Sequence, residues 1–353
     1  MAIAFLIFLA ALLLLVISHE AGHFFAARAF GIKVEEFGFG IPPRIFGLWR
    51  DKRGTLFSLN LLPFGGFVKI FGEEGKEVSN PQSFGSKPAW ARASVLISGV
   101  LANVFLAYIL FVFVSGLGVM EAVSEDGAAL YPDAKITILE VAPNSPAESA
   151  GIQIGDKVGG FKKIEGLQKF LKENAGKSVV LNISRGGKEL FIEASPRKTP
   201  PEGEGALGVA LGWTRIKKAP WMLAPLEGAK LTGRAVWGTI SGFYWLAKDF
   251  LAQRPPEVEV AGPVGIFNIT ASAIGAGWGF LLTLLGLLSI NLAIINIIPF
   301  PGLDGGRLFF VLLEVVRGKR ISPKTSALAH SLGLMILIAL MLAVTYRDIA
   351  KIF

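Results

Sequence analysis

The chain has 353 residues, of which 52% are hydrophobic and 18% are charged, a composition typical of a membrane protein with room for one modest soluble domain. Its net charge is +8, but the basic residues are spread through loops beside apolar segments, which indicates membrane topology and argues against nucleic-acid binding. Cysteine is absent, which excludes disulfides, thiol catalysis and thiolate metal sites and leaves His, Asp or Glu to hold any metal.

The first apolar run, residues 2 to about 29, predicts a membrane-spanning helix. No Lys or Arg precedes it and no small-residue cleavage site follows it, so we expect a permanent span rather than a signal peptide. Because Arg28 lies at the end of this run and Lys33 just after it, the positive-inside rule predicts an N-terminus outside and a helix end near the cytoplasmic face.

The sequence His19-Glu20-Ala21-Gly22-His23 lies near the end of that span. On a helix, two histidines four residues apart leave the same face one turn apart and can bind one metal ion. Glu20 is rotated by about 100° from His19, which places its carboxylate beside the metal, within reach of a water that the metal activates. Ionisable residues are costly in hydrocarbon, so this cluster indicates a functional site.

Residues 33–91 are too polar to span a membrane and are rich in Gly and Pro. Residues 55–62 and 67–71 are predicted as two short strands, joined as a hairpin by Pro63-Phe-Gly-Gly66. With Phe64, Phe67 and Phe71 as apolar residues, this hairpin could dip into the membrane beside the metal, where its edge would suit an extended peptide. The alternative is a simple cytoplasmic hairpin.

A second span is expected from about residue 93 to 114, and Asn103 within it is interpreted as a helix–helix hydrogen-bonding residue. Residues 116–220 then change to a soluble pattern, with strands expected at 136–141, 179–184 and 189–194 and a helix at 167–174. Within this region, residues 142–158 resemble the PDZ signature, a small-residue turn followed by A-G-hydrophobic-x-x-G-D. A PDZ domain at 135–198 would bind peptide ends or strands, and a spacer without a ligand is the alternative.

Residues 221–253 combine aromatic residues, such as Trp221, Trp237 and Trp245, with basic neighbours, which predicts an amphipathic helix at the membrane surface. Pro255-Pro256 is expected to end this helix, and residues 262–266 are expected to form a tight turn that leads inward. The sequence therefore separates residues 1–116 and 262–353, two membrane parts with two spans each, from a PDZ domain at 135–198 and an interfacial region at 220–256.

The third span is expected at about residues 280–298 and the last at about 326–346. Prolines and glycines end the third span where Asp304 lies, and a run of basic residues follows, which predicts a cytoplasmic location for Asp304. Charge arguments for two separate spans thus place Asp304 and the two histidines at the same membrane depth. His330 is interpreted as a polar helix-end residue, because nothing in the sequence pairs with it.

Catalytic zinc takes three protein ligands and keeps one position for water, and two histidines with one carboxylate are a standard set. His19, His23 and Asp304 supply that set from two spans, with Glu20 available as the base. The tetrahedral intermediate also needs a hydrogen-bond donor, and Asn296, about two helical turns before Asp304, is a candidate. Helix capping or packing is the alternative role for Asn296.

Two motifs pair in this chain: His19–His23 matches H-E-x-x-H, and residues 296–305 match N-x-x-P-x-P-x-L-D-G. On these residues the chain resembles, over nearly its whole length, the site-2 protease family of intramembrane zinc metalloproteases. Two further features of that family also have counterparts here. Gly38-Phe-Gly40 matches the family's G-x-G in a membrane-associated hairpin, and residues 262–266 resemble its turn before the third span. The chain looks most like the bacterial regulator of sigma-E protease type, with one PDZ domain in place of the usual two.

The resemblance implies Zn²⁺ as cofactor, His19, His23 and Asp304 as zinc ligands, Glu20 as the base and Asn296 as a substrate or transition-state contact. It also implies single-pass membrane proteins in the lipid bilayer as substrates, such as anti-sigma factors or remnant signal peptides. The expected fold is a polytopic α-helical membrane protein with about four spans, a membrane-associated β-hairpin region and one inserted α/β PDZ domain.

The expected location is the bacterial inner membrane, with both termini and the PDZ domain extracytoplasmic and the active site near the cytoplasmic side. The alternative function is a non-proteolytic membrane scaffold or metal-handling protein that uses its PDZ domain for binding. Glu20 distinguishes the two functions, because hydrolysis requires a carboxylate between the histidines and metal storage does not.

Overall fold

The computed structural model describes residues 2–73, 78–201, 203–254 and 261–350, apart from the side chain of Phe64. The helices are α1 Ala2–Ala29, α2 Ala89–Leu117, α3 Glu125–Ala128, α4 Pro146–Ser149, α5 Ile164–Glu173, α6 Ala224–Leu251, α7 Pro263–Ala276, α8 Trp278–Ile297, α9 Asp304–Arg317 and α10 Pro323–Ala350, with a 3₁₀ turn at Phe84–Ser86. The strands are β1 Val34–Arg50, β2 Leu56–Ile70, β3 Val119–Val123, β4 Lys135–Val141, β5 Lys157–Val158, β6 Val179–Arg185, β7 Lys188–Ala194 and β8 Val209–Lys217.

Four of the described helices, α1, α2, α8 and α10, are long and apolar enough to cross a membrane, which agrees with the four spans expected from the sequence. Helix α2 is the central one, because it packs against α1, α6, α8 and α9. The apolar contacts between these helices include Leu110 and Phe111 of α2 with Leu285 and Ile290 of α8. Helix α2 therefore connects the two ends of the chain that carry the metal-binding motifs.

The first sheet differs from the predicted hairpin. Residues 56–59 and 66–69 both belong to β2, but they do not pair with each other because the first half of β1 lies between them. Phe37 is opposite both Phe57 and Val68, and Phe39 is opposite both Leu59 and Gly66. The second half of β1, from Arg44, then pairs with the outer side of residues 56–60. The predicted hairpin of 55–62 with 67–71 is therefore wrong in its pairing, because residues around Gly40 and Gly65 bend long strands instead of closing a turn.

This first sheet packs on the membrane helices through an apolar cluster. Phe37 and Ile70 of the sheet contact Phe24 of α1 and Val95 of α2, and the ring of Phe37 stacks on Phe57 at a centroid distance of 5.6 Å. Burial of four such side chains contributes several kcal/mol, at about 1.5–3 kcal/mol each. The sheet is consequently held beside the end of α1 that carries His19 and His23.

A second, six-stranded sheet with the order β3-β8-β4-β5-β6-β7 lies between α2 and α6 in the chain. The strands and the helix expected in residues 135–198 are present as β4, β6, β7 and α5. Strand β8 pairs with β4 along the length of β4, and β3 pairs with β8. Both strands therefore join the same sheet from outside that range. The core between the sheet and α5 contains Ile136, Ile138, Leu167, Leu181 and Ile183.

The segment after the second sheet contains two further helices. Helix α6 covers most of the expected interfacial region and packs on α2, where Gly228 is so close to Val112 that a Cβ would overlap it. Pro255 and Pro256 lie outside the described residues. The tight turn expected at residues 262–266 is wrong: Gly262 caps α7 and Pro263 is its first residue, a position that suits proline because its missing N–H has no helical partner there.

We expect Asp156→Ala to destabilise the second sheet by about 2–3 kcal/mol, the cost of removing hydrogen bonds to a charged group. Asp156 is buried and accepts hydrogen bonds from Arg185 Nε and Nη2, both at 2.7 Å, and from the Gln153 N–H at 2.8 Å. Hydrogen exchange of β5 and β6 measures the effect, and the exposed Glu140, changed to Ala, is the control. Equal protection in both variants would contradict the prediction.

Candidate metal centre

The two histidines of H-E-x-x-H lie on the face of α1 that packs against α2. His19 and His23 are each 7% exposed, and their ring centroids are 4.8 Å apart. Both rings lie against Gly99 of α2, where a Cβ would overlap His23 Nε2. One turn away, Gly22 lies against the carbonyl of Ser98. Small residues at both positions therefore let the helices approach until the rings fill the space between them.

Asp304 reaches the histidines from the other end of the chain. Helix α8 ends at Ile297, and Asp304 is the first residue of α9. The intervening loop folds tightly on itself, because Gly305 lies directly against the carbonyls of Ile297 and Ile298, where a Cβ would overlap them. The carboxylate is thereby brought back toward the membrane helices, as the sequence predicted.

The three side chains converge on one point. Asp304 Oδ2 lies 2.8 Å from His19 Nε2 and 3.0 Å from His23 Nε2, and the two Nε2 atoms are 3.2 Å apart. One ligand atom from each residue lies within 4.8 Å of the others. Two imidazole nitrogens and one carboxylate oxygen form a donor set that suits zinc, so these residues fit the metal expected from the sequence.

The hydrogen bond of His23 also agrees with metal binding. Its Nδ1 lies 2.8 Å from the carbonyl oxygen of Val95 on α2. A carbonyl only accepts hydrogen bonds, so Nδ1 carries the proton and Nε2 keeps its lone pair for a metal. His23 is thus held in the tautomer that a ligand requires.

Glu20 and Asn296 line one side of this centre. A cavity of about 210 Å³ is bounded by both residues together with His19, Asp304, Val16, Leu292, Gly302 and Leu303. Asn296 Nδ2 lies 3.5 Å from His19 Nε2. The cavity therefore brings together four of the five residues that the sequence analysis selected, with space for a water molecule or a peptide group beside them. The fifth, His23, reaches the same point through its Nε2, which lies 3.2 Å from His19 Nε2.

His330 has partners that the sequence did not reveal. Its Nδ1 accepts a hydrogen bond from the Gly302 N–H at 3.1 Å, and its Nε2 is 3.5 Å from Arg307 Nη2. Arg307 also forms an ion pair with Glu73 of the segment after β2. The expectation that nothing pairs with His330 is wrong, because His330 bonds to the loop before Asp304. Among the described residues, the cluster that could hold a metal consists of His19, His23 and Asp304 and does not include His330.

Sequence reasoning missed the contribution of α2 to the centre. Val95, Gly99 and Asn103 are spaced four residues apart, so they lie on one helix face, and all three contact or approach the histidines. Their spacing in the sequence indicated a shared helix face. It did not indicate that this face packs on the histidine face of α1.

Comparison with known proteins gives a consistent result. The model of the family described as peptidase family M50 matches residues 7–340. A protein from Clostridium perfringens named as a candidate zinc metalloprotease is 33% identical over 343 residues, which cover 95% of each chain. Similarly named proteins from Nostoc sp. and Fusobacterium nucleatum are 32% identical over 94% of this chain and 92% of the relative, and 31% identical over 99% of both.

We expect Gly99→Ala to weaken zinc binding about 5- to 150-fold, the equivalent of about 1–3 kcal/mol for an overpacked site. The added methyl would overlap His23 Nε2, so the ring would have to shift. Zinc affinity of the purified protein, measured by chelator competition, checks this prediction. Leu101→Ala is the matched control, because Leu101 lies on the same helix and is 60% exposed. Wild-type affinity in Gly99→Ala would contradict the close packing of α2 on the rings.

Proposed function

The chain belongs to peptidase family M50, and on this premise we propose that it is an intramembrane zinc endopeptidase. Its substrates would be single-pass membrane proteins, cut in or next to the membrane-spanning segment. One observation carries the proposal: His19, His23 and Asp304 converge within a bundle of apolar helices, beside a cavity that Glu20 also lines.

The side chains divide the work of peptide hydrolysis between them. His19, His23 and Asp304 would hold the zinc ion, and bound zinc acts as a Lewis acid toward the scissile carbonyl and makes water nucleophilic at neutral pH. Glu20 takes a proton from the attacking water while the water oxygen bonds to the carbonyl carbon. It then gives that proton to the leaving amine as the C–N bond breaks. Asn296 donates a hydrogen bond to the carbonyl oxygen as it becomes negatively charged.

Substrate binding along the first sheet is supported by the position of β2. Among the described residues, no strand pairs with the second side of residues 66–68, so this edge can pair with an extended peptide. Gly66 lies beside the catalytic carboxylate, with its Cβ position 3.7 Å from Glu20 Cγ. An added peptide strand would therefore pass Glu20 and the metal.

Membrane association of the first sheet is supported by its exposed side chains. Ile41, Ile45, Phe46 and Leu48 of β1, and Leu61 of β2, are between 44% and 62% exposed. Such a group of apolar side chains is typical of an interaction surface, and a bilayer would bury it. The sheet would then present its edge at the depth of the cleaved bond.

We assign the second sheet the role of an extracytoplasmic PDZ domain, on its signature at residues 142–158 and its insertion between α2 and α6. Gln153 and Gly155 of this signature contact Gly275 and Ala276 at the end of α7, so the domain is well placed to control access of large substrates. A PDZ-shaped spacer is the alternative. On this assignment the protein resembles the regulator of sigma-E protease type, with anti-sigma factors or remnant signal peptides as substrates and both termini outside.

We expect Glu20→Gln to retain zinc at wild-type stoichiometry and to abolish cleavage of a model single-span substrate in lipid. The amide cannot accept the proton of the attacking water, whereas the three ligands are unchanged. Asp304→Asn should instead lose zinc, because a neutral amide replaces the charged ligand. Zinc content and product formation are measured on the same samples. Cleavage by Glu20→Gln would refute the mechanism, and zinc-loaded wild-type protein without activity would favour the scaffold or metal-handling function.

Asn296→Leu should lower kcat by about 10²- to 10³-fold, the usual effect of removing an oxyanion donor, with KM and zinc content close to wild type. The leucine keeps a similar volume but cannot donate to the carbonyl oxygen. Steady-state kinetics on the model substrate give both constants. A loss of stability with unchanged kcat would show that Asn296 serves helix packing only.

A further inference from the structure

Asn103 is a fully buried polar residue in the middle of α2, at 0% exposure. Its side-chain Nδ2 lies 3.5 Å from Nδ1 of His19. The other side-chain atom, Oδ1, is buried without a hydrogen-bond partner among the described residues. A buried amide with an unsatisfied oxygen is costly, and in an apolar helix it requires an explanation.

Helix packing does not explain the side chain. Asn103 does take part in a helix–helix hydrogen bond, but the acceptor is its backbone carbonyl, which receives the Ser289 hydroxyl of α8 at 2.8 Å. Any residue at position 103 would supply that carbonyl. The interpretation of Asn103 as a helix–helix residue therefore accounts for its backbone and leaves its amide without a role.

The chemistry of His19 determines what its neighbour must be. His19 Nε2 faces Asp304 Oδ2 at 2.8 Å and His23 Nε2 at 3.2 Å, so Nε2 is the atom that faces the metal position. A neutral imidazole that binds through Nε2 carries its proton on Nδ1 and must donate it to an acceptor. An amide nitrogen cannot accept this proton, whereas the amide oxygen can.

We propose that Asn103 is a positioning residue for the metal ligand His19. This proposal rests on the proposed zinc site. A half-turn of its amide exchanges the positions of Oδ1 and Nδ2, so that Oδ1 accepts a hydrogen bond from His19 Nδ1–H. The bond sets the tautomer of His19 and the direction of its Nε2 lone pair.

The second histidine supports this assignment. His23 Nδ1 already faces an acceptor, the Val95 carbonyl, at 2.8 Å. Val95 and Asn103 are eight residues apart on α2, so one face of a single helix would supply an acceptor to each metal-binding imidazole. At position 95 the acceptor is the backbone carbonyl, whereas at position 103 the group that faces His19 Nδ1 is the side-chain amide, at 3.5 Å.

The test compares Asn103→Leu, which removes the acceptor, with Asn103→Asp, which retains it. Zinc affinity of each purified full-length protein is measured by chelator competition, after circular dichroism and gel filtration have established that the variant is folded. The matched control is Asn291→Leu, because Asn291 is also a spanning-helix asparagine but accepts from Thr239 Oγ1 at 2.8 Å. The chain has three histidines, so ¹⁵N-histidine NMR of the zinc-loaded protein can observe the His19 Nδ1–H directly.

We expect Asn103→Leu to weaken zinc binding about 10- to 100-fold, the usual effect of removing such a partner, and to shift or broaden the His19 Nδ1–H signal. Asn103→Asp should bind zinc at least as tightly as wild type, and Asn291→Leu should equal wild type. Wild-type affinity in Asn103→Leu, or equal losses in folded Asn103→Leu and Asn103→Asp, would overturn the proposal. Wild-type protein that binds no zinc would instead overturn the proposed function, and this inference with it.

Discussion

The close approach of α1 and α2 is the constraint on which the candidate metal centre depends. At Gly22 and Gly99 the two helices leave no room for a Cβ, so the imidazoles of His19 and His23 occupy the space between them. Helix α2 then does more than pack. It supplies the Val95 carbonyl to the ring of His23 and presents the Asn103 amide to the ring of His19. A hydrogen bond to Nδ1 holds an imidazole in one orientation and one tautomer.

The position of Asp304, the third candidate ligand, depends on a different feature, a helix that ends early. Prolines at 299 and 301 lack an N–H and cannot continue α8, so α8 ends at Ile297 and a short loop leads to Asp304, the start of α9. An ion pair between Arg92 of α2 and Glu314 of α9, at 2.7 Å, ties α9 to the same central helix. Both side chains are mostly buried, so loss of either partner would leave an uncompensated charge.

The first sheet illustrates where pattern reasoning reaches its limit. Residues 55–62 and 67–71 were each recognisable as strands, since they are short runs of mixed polarity between turn residues. Their pairing was not, because residues 36–39 lie between them, and a local pattern contains no information about a partner 20 or more residues away. Glycines at 38, 40, 65 and 66 suggested turns for the same reason, although in the folded protein they belong to bent strands.

The sequence by itself indicated the four apolar spans and selected His19, His23 and Asp304 as candidate ligands and Glu20 as the candidate base, because hydrophobic runs and helical spacing are local properties. It also indicated a small inserted domain from the strands and turns of residues 135–198. Only the tertiary structure decided which helix faces the histidines, and thus the parts of Val95, Gly99 and Asn103, and which loop His330 supports. Those contacts join residues 28 to 84 positions apart, so they exist only once the helices have packed, and no short motif encodes them.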